Sequence, residues 1–195
     1  DEAYKNPTWT GNAHAVTFTA SSSVQVETVT IKLVEVAGPT YTKQTPLTFR
    51  AEDNGYYATF SNDKVTFITS KHVIPYVVTV ANGKVDMKSD MFKSEKTTIG
   101  SAEVDGYYIP ANTGILLYSI AETADYYTVE HKTVDDISSA DNMLEPAPKD
   151  GGVFAFNEAY KYYKLAYNDY YNHKGLGFYW GADNGGAFSV KAGTA

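Results

Sequence analysis

The residues of this chain best suited to chemistry are aromatic. Of its 195 residues 17 are Tyr and 2 are Trp. A tyrosine joins an apolar ring to a polar tip, so it suits half-buried strands and ligand-binding faces alike. Tyr179 and Trp180 end the run Gly175-Leu176-Gly177-Phe178-Tyr179-Trp180, whose glycines leave little bulk beside the rings. Such rings can stack on the face of a sugar. Trp180 shares strand parity with Leu176 and Phe178 and so also reads as core, which leaves Tyr179 facing outward. Trp9, Tyr170 and Tyr171 complete the candidate ligand-binding set. For most of the tyrosines, filling strand positions is the plainer role.

Other chemistries are thinly represented. Zero Cys removes disulfides, thiolate nucleophiles and cysteine-type zinc sites together. His14, His72, His131 and His173 show no i, i+4 pairing and no zincin-like Glu. No Gly-x-Ser-x-Gly elbow and no phosphate-cradling Gly-x-x-x-x-Gly-Lys run occurs. Asp183-Asn184 can offer oxygens to calcium, but a calcium loop needs more acidic residues at alternate positions. The expectation is therefore no metal, no cofactor and no catalytic residue. Paired carboxylates are the one enzymatic option left, since a glycosidase needs only two. Asp135-Asp136, Asp125 and Glu130 are among 23 acidic residues, and no pattern singles out a pair.

The formal net charge is −7, and Arg50 is the only Arg among sixteen basic residues. Nucleic-acid binding relies on clustered Arg and Lys, so a nucleic-acid partner is not expected. No apolar run approaches the ~20 residues of a spanning helix. The start carries no basic, then apolar, then small-residue leader, so any signal peptide is expected to have been removed already.

The elements that must position these residues read as strands. Val29, Ile31 and Leu33 alternate with Thr28, Thr30 and Lys32, and Tyr76, Val78 and Val80 alternate with Val77 and Thr79. Asn54-Gly55, Asn82-Gly83, Asp105-Gly106 and Asn184-Gly185 are pairs that tolerate the positive φ of tight hairpins. In Ile109-Pro110-Ala111-Asn112-Thr113-Gly114, a turn with Gly114 in the left-handed region should feed a buried strand over Ile115–Leu117. Helix is scarce, with one short candidate from Ser138 to Leu144. The pattern predicts an all-β fold, an antiparallel β-sandwich of jelly-roll type or two small β modules. The polar patch Ala51-Glu52-Asp53-Asn54-Gly55 places a boundary between an N-terminal module, 1–52, and a C-terminal sandwich, 53–195.

Several segments carry a resemblance. Tyr56-Tyr57-Ala58-Thr59-Phe60, Pro75-Tyr76-Val77-Val78, Ile109 to Leu117, Ala140-Asp141-Asn142-Met143-Leu144, Tyr162 to Tyr167, Leu176 to Phe188 and Ala192-Gly193-Thr194-Ala195 occur in the same order as in a known domain. They resemble the C-terminal β-rich domain of exported surface proteins of Bacteroidetes-type gut bacteria, whose function is uncharacterised. The first half, from Pro7 to Ile31, is similar to short β-modules of the same proteins. In that family a strand commonly follows the Ala-Gly-small-Ala ending, so the last strand is expected to be clipped at Ala195. The resemblance implies the extracellular space or the outer-membrane surface, often as a lipoprotein.

Together these observations favour a non-catalytic cell-surface module for adhesion or glycan capture. Its partner would be a glycan or a host or cell-surface protein. A structural spacer and a glycoside hydrolase are the alternatives. A binder should show a concave aromatic patch, a spacer none, and a hydrolase two convergent carboxylates.

Overall fold

A computed structural model describes residues 37–52, 54–82, 84–154, 162–170, 173–180 and 188–195. The chain divides into two compact units, 1–36 and 37–195, and every described residue belongs to the second. Trp9, Tyr171, the alternating run around Lys32 and the Asn184-Gly185 pair lie outside the described residues.

The described strands, in chain order, are β1 (Thr40–Lys43), β2 (Leu47–Thr48), β3 (Arg50–Glu52), β4 (Gly55–Phe60), β5 (Thr66–Thr69) and β6 (Val73–Ala81). Next come β7 (Lys84–Lys88), β8 (Ser94–Ile99), β9 (Ala102–Ile109), β10 (Ile115–Ser119), β11 (Thr123–Ala124) and β12 (Tyr126–Glu130). The last are β13 (Gly152–Phe154), β14 (Tyr163–Tyr170), β15 (His173–Trp180) and β16 (Phe188–Val190). No helix occurs among the described residues, and every strand pairing is antiparallel. The fold is all-β, as the period-two pattern predicts.

Two five-stranded sheets make the sandwich. The first runs β1-β12-β5-β9-β8 and the second β3-β4-β10-β6-β7. Their facing sides form the main core of Phe60, Ile68, Val73, Val77, Ile109, Ile115 and Leu117, closed by Phe49, Phe92 and Ala124. Strand β10 is central in its sheet, so Ile115, Leu116 and Leu117 are all buried. Pro75 is buried beside Leu117, at a stretch of β6 that pairs with β10 but not yet with β7. A strand tolerates proline where one side lacks a ladder.

The first sheet curls. Laid flat, five strands would hold the edge strands about 19 Å apart at ~4.8 Å per step. Yet the Tyr41 hydroxyl on edge strand β1 reaches Thr97 Oγ1 on the opposite edge strand β8 at 2.6 Å. The side away from the main core is thus rolled around a second cluster of Phe67, Tyr108 and Val129. Gly106 makes this possible. A Cβ there would collide with the Phe67 ring and with the Ile68 carbonyl.

Gly106 is also a correction. Asp105-Gly106 reads as a hairpin turn, but both residues lie inside β9, opposite Lys96 and Glu95. Glycine was needed there for a ring's approach, a demand that local sequence cannot reveal. The Ser138–Leu144 helix is likewise absent. Ser138 accepts from Ala140 N and Asp141 N, a single turn, after which the Asn142 side chain is buried against the second sheet. Asn142 donates to the Gly114 carbonyl at 2.7 Å and accepts from Val78 N at 3.2 Å. Gly114 does not supply the left-handed residue, which is Asn112 with φ 54°. Instead its missing Cβ admits Ala195 and the Leu144 carbonyl. Ser61 Oγ then donates to the Thr194 carbonyl at 2.5 Å. Three of the motifs singled out in the sequence therefore meet at one structural junction.

Strands β6 and β7 are joined tightly, since Ala81 pairs with Lys84 and Asn82 has φ 52°, while Gly83 lies outside the described residues. At Asn54-Gly55 the loop sits one residue earlier, because Glu52 pairs with Gly55. The expected boundary after residue 52 falls within this β3–β4 hairpin. Strands β1 to β3 pair with β12, β11 and β4, all C-terminal to it.

Candidate functional site

Strand register decides which side chains share a face, because residues directly opposite each other point the same way. On the second sheet, Tyr118 of β10 lies opposite both Tyr57 of β4 and Ile74 of β6. Two residues back, Leu116 lies opposite Tyr76. Val78 and Val80 lie opposite Met87 and Val85 of β7. All of these occupy the side away from the main core. An outward sheet face is usually polar, and this one is not. Ile74, Val80, Val85 and Met87 are 38–52% exposed.

Within this face Asn54, Tyr57, Tyr76, Met87 and Tyr118 line an open cleft of about 170 Å³. The Tyr57 and Tyr118 rings are 5.2 Å apart and tilted by 55°, so they form two walls of a shallow V. Tyr118 is fixed at both ends. Its hydroxyl donates to the Asn54 carbonyl at 2.9 Å. Its ring lies over Gly55, where a Cβ would sit 2.5 Å from Tyr118 Cε2. Gly55 also has φ 141°, a conformation that L side chains rarely adopt. The Asn54-Gly55 turn signal therefore serves the cleft as well as the hairpin.

Tyr57 and Tyr76 make no hydrogen bond through their hydroxyls among the described residues, which leaves both hydroxyls available. The Tyr57 phenol is raised above its ordinary value, first by burial and then by Tyr118, Tyr76 and Glu52 beside it. It is neutral at physiological pH, a donor as well as an acceptor. The cleft can thus offer apolar ring faces, a thioether and free hydroxyls. Among the described residues that line it, no nucleophile is paired with a base.

The residues expected from sequence are placed differently. Tyr170 pairs with His173 at the turn end of the β14–β15 hairpin, while Tyr179 pairs with Lys164 near the other end. Six residues of strand separate them, roughly 20 Å. Tyr179 donates its hydroxyl to the Gly175 carbonyl at 3.0 Å, and its ring covers Gly177. The space beside Gly177 is thus filled from the same strand, while a Cβ at Gly175 would meet nothing within 4 Å. Trp180 stands opposite Tyr163 in the register. The hairpin approaches the cleft rim at one point, where Leu176 N donates to Glu52 Oε1 at 2.9 Å.

The carboxylates weighed for glycosidase chemistry do not converge. Asp125 and Glu130 flank opposite ends of β12, some five residues or about 17 Å apart, beyond the ~5–9.5 Å that such pairs need. Each is in an exposed ion pair, with Lys43 at 3.1 Å and Lys64 at 3.2 Å. Asp135 and Asp136 are exposed in a segment without regular structure. Among the described residues no group of His, Asp and Glu could hold a metal ion, and no helix is long and apolar enough to cross a membrane.

Tyr57, Tyr76 and Tyr118 were missed in the sequence because each sits in an ordinary strand pattern. Only the pairing of β4, β10 and β6 brings them together, from positions up to 61 residues apart. Comparison with protein-family models, curated proteins and solved structures finds no match to this chain.

Proposed function

We propose that this protein is a non-catalytic, exported cell-surface module that captures a glycan. The tyrosine cleft on the outer face of the second sheet carries the reading. An outward sheet face with three tyrosines around a solvent-open cleft offers an apolar surface to a sugar ring and hydroxyls to its polar edge. The cleft is smaller than the ~300 Å³ of a typical small-molecule pocket, which suits one ring of a longer chain. The spacing of Asp125 and Glu130 speaks against the hydrolase alternative. The surface location rests on the sequence resemblance.

The test is a glycan array of mucin and plant polysaccharides, followed by titration of any hit against Tyr57→Ala, Tyr118→Ala, Tyr179→Ala and Trp180→Ala. Tyr57→Ala and Tyr118→Ala should each weaken binding about tenfold or more while the fold persists. Tyr179→Ala should leave binding nearly unchanged. If binding instead depends on Tyr179 or Trp180, the site is the β14–β15 hairpin. Absence of binding to every glycan puts the spacer reading first.

A further inference from the structure

Among the described residues, only two charged side chains lie on the outer face of the second sheet. Both come from edge strand β3, where Arg50 pairs with Tyr57 and Glu52 with Gly55. Parity puts Lys84, Asp86 and Lys88 of β7 on the other side. Glu52 is half-buried, and its carboxylate already accepts the Leu176 amide. Arg50 is exposed and makes no ion pair among the described residues. The chain's only arginine therefore stands uncommitted directly across from a wall of the tyrosine cleft.

We infer that the cleft selects an acidic sugar, a sialic or uronic acid residue, with its ring against Tyr57 and Tyr118 and its carboxylate held by Arg50. The inference rests on the glycan-binding reading and deepens it. Opposed residues of an antiparallel pair have Cβ atoms ~5 Å apart, so an Arg50 side chain can reach the edge of a ring seated on Tyr57. The guanidinium fork matches a carboxylate with two parallel N–H donors, a contact roughly twice as strong as a neutral hydrogen bond. Glu52 would repel a ligand carboxylate, but it lies about 6.6 Å further along β3. This sets the orientation, with the acid group at the Arg50 end and hydroxyls toward Glu52 and Asn54. The overall charge of −7 opposes an acidic ligand only weakly, since charges beyond ~8 Å are largely screened in physiological salt.

The experiment compares sialyllactose with lactose, and oligogalacturonate with its methyl ester, by titration calorimetry on the unmodified chain, Arg50→Gln and Arg50→Lys. Arg50 is exposed on a short edge strand, and a melting curve confirms that each variant is folded. At least one acidic ligand should bind about tenfold more tightly than its neutral partner. That preference should vanish in Arg50→Gln, be only partly kept in Arg50→Lys, and shrink with added salt. Equal or tighter binding of the neutral partners overturns the inference while leaving glycan capture intact. So does an acid preference that survives Arg50→Gln. Failure of both acidic and neutral glycans to bind overturns the inference together with the function it rests on.

Discussion

Side chains in this protein are constrained most where two demands meet. Leu117 is fully buried in β10, with neighbours on both strands beside it and core residues facing it. Leu117→Ala should therefore cost about 2–5 kcal/mol in chemical denaturation. An exposed edge change such as Lys96→Ala, which removes only a surface ion pair with Glu103, should lie within about 0.5 kcal/mol of the parent. Similar small effects from both would contradict the assigned core. Asn142 shows the polar version of the same constraint. It is 8% exposed yet spends both ends of its amide on backbone, at Val78 in β6 and at Gly114 just before β10. The sequence marks it only as part of a short helix signal, because the partners at Gly114 and Val78 are supplied by tertiary pairing.

Among the elements, β9 shows how a glycine can set the shape of a sheet. The first sheet rolls until its edges meet through Tyr41 and Thr97, and the aromatic cluster fills the roll. Tyr41 and Tyr108 pack their rings on Phe67, and their hydroxyls bond each other. Gly106→Ala places a Cβ against the Phe67 ring and the Ile68 backbone. The ring can give, but the carbonyl is fixed by the β5–β9 ladder. We expect a loss of about 1–3 kcal/mol, read from the thermal or denaturant midpoint. A neutral outcome would show that β5 and β9 are not in this register. The same physics applies in the β3–β4 hairpin, where Gly55 leaves room for Tyr118. There the consequence is a cleft instead of a curl.

For the whole molecule, stability should depend on alkaline pH through its buried phenols. Burial, the largest cause, pushes the Tyr108 phenol up to about 12; a hydrogen bond from Thr97 opposes it next, and the Tyr41 hydroxyl, the Tyr41 charge and Glu95 add to the rise. Burial likewise raises Tyr126. Unfolded tyrosines release their protons near pH 10, so above that the folded state holds more protons than the unfolded one. Stability is then fully present below about pH 10 and falls as pH rises toward 12. Denaturation midpoints measured from about pH 9 to 12 should decline, and Tyr108→Phe should flatten that decline. A profile unchanged by the substitution would mean that other groups carry it. At this scale the division between sequence and structure is clear. Alternation, turn pairs and the lack of Cys determine an all-β chain without disulfides, because period two and turn chemistry are local properties. The buried strand Ile115–Leu117 and the tight β6–β7 hairpin follow from the same local rules. Tertiary structure decides the rest. It decides that Asp105-Gly106 continues a strand, that Asn142 and Met143 hydrogen-bond to β6, and that Tyr57, Tyr76 and Tyr118 share a face with Arg50. Each of these depends on which distant strand becomes a neighbour and in which register, and a one-residue slip of β4, β10 or β6 would send its tyrosine to the opposite side.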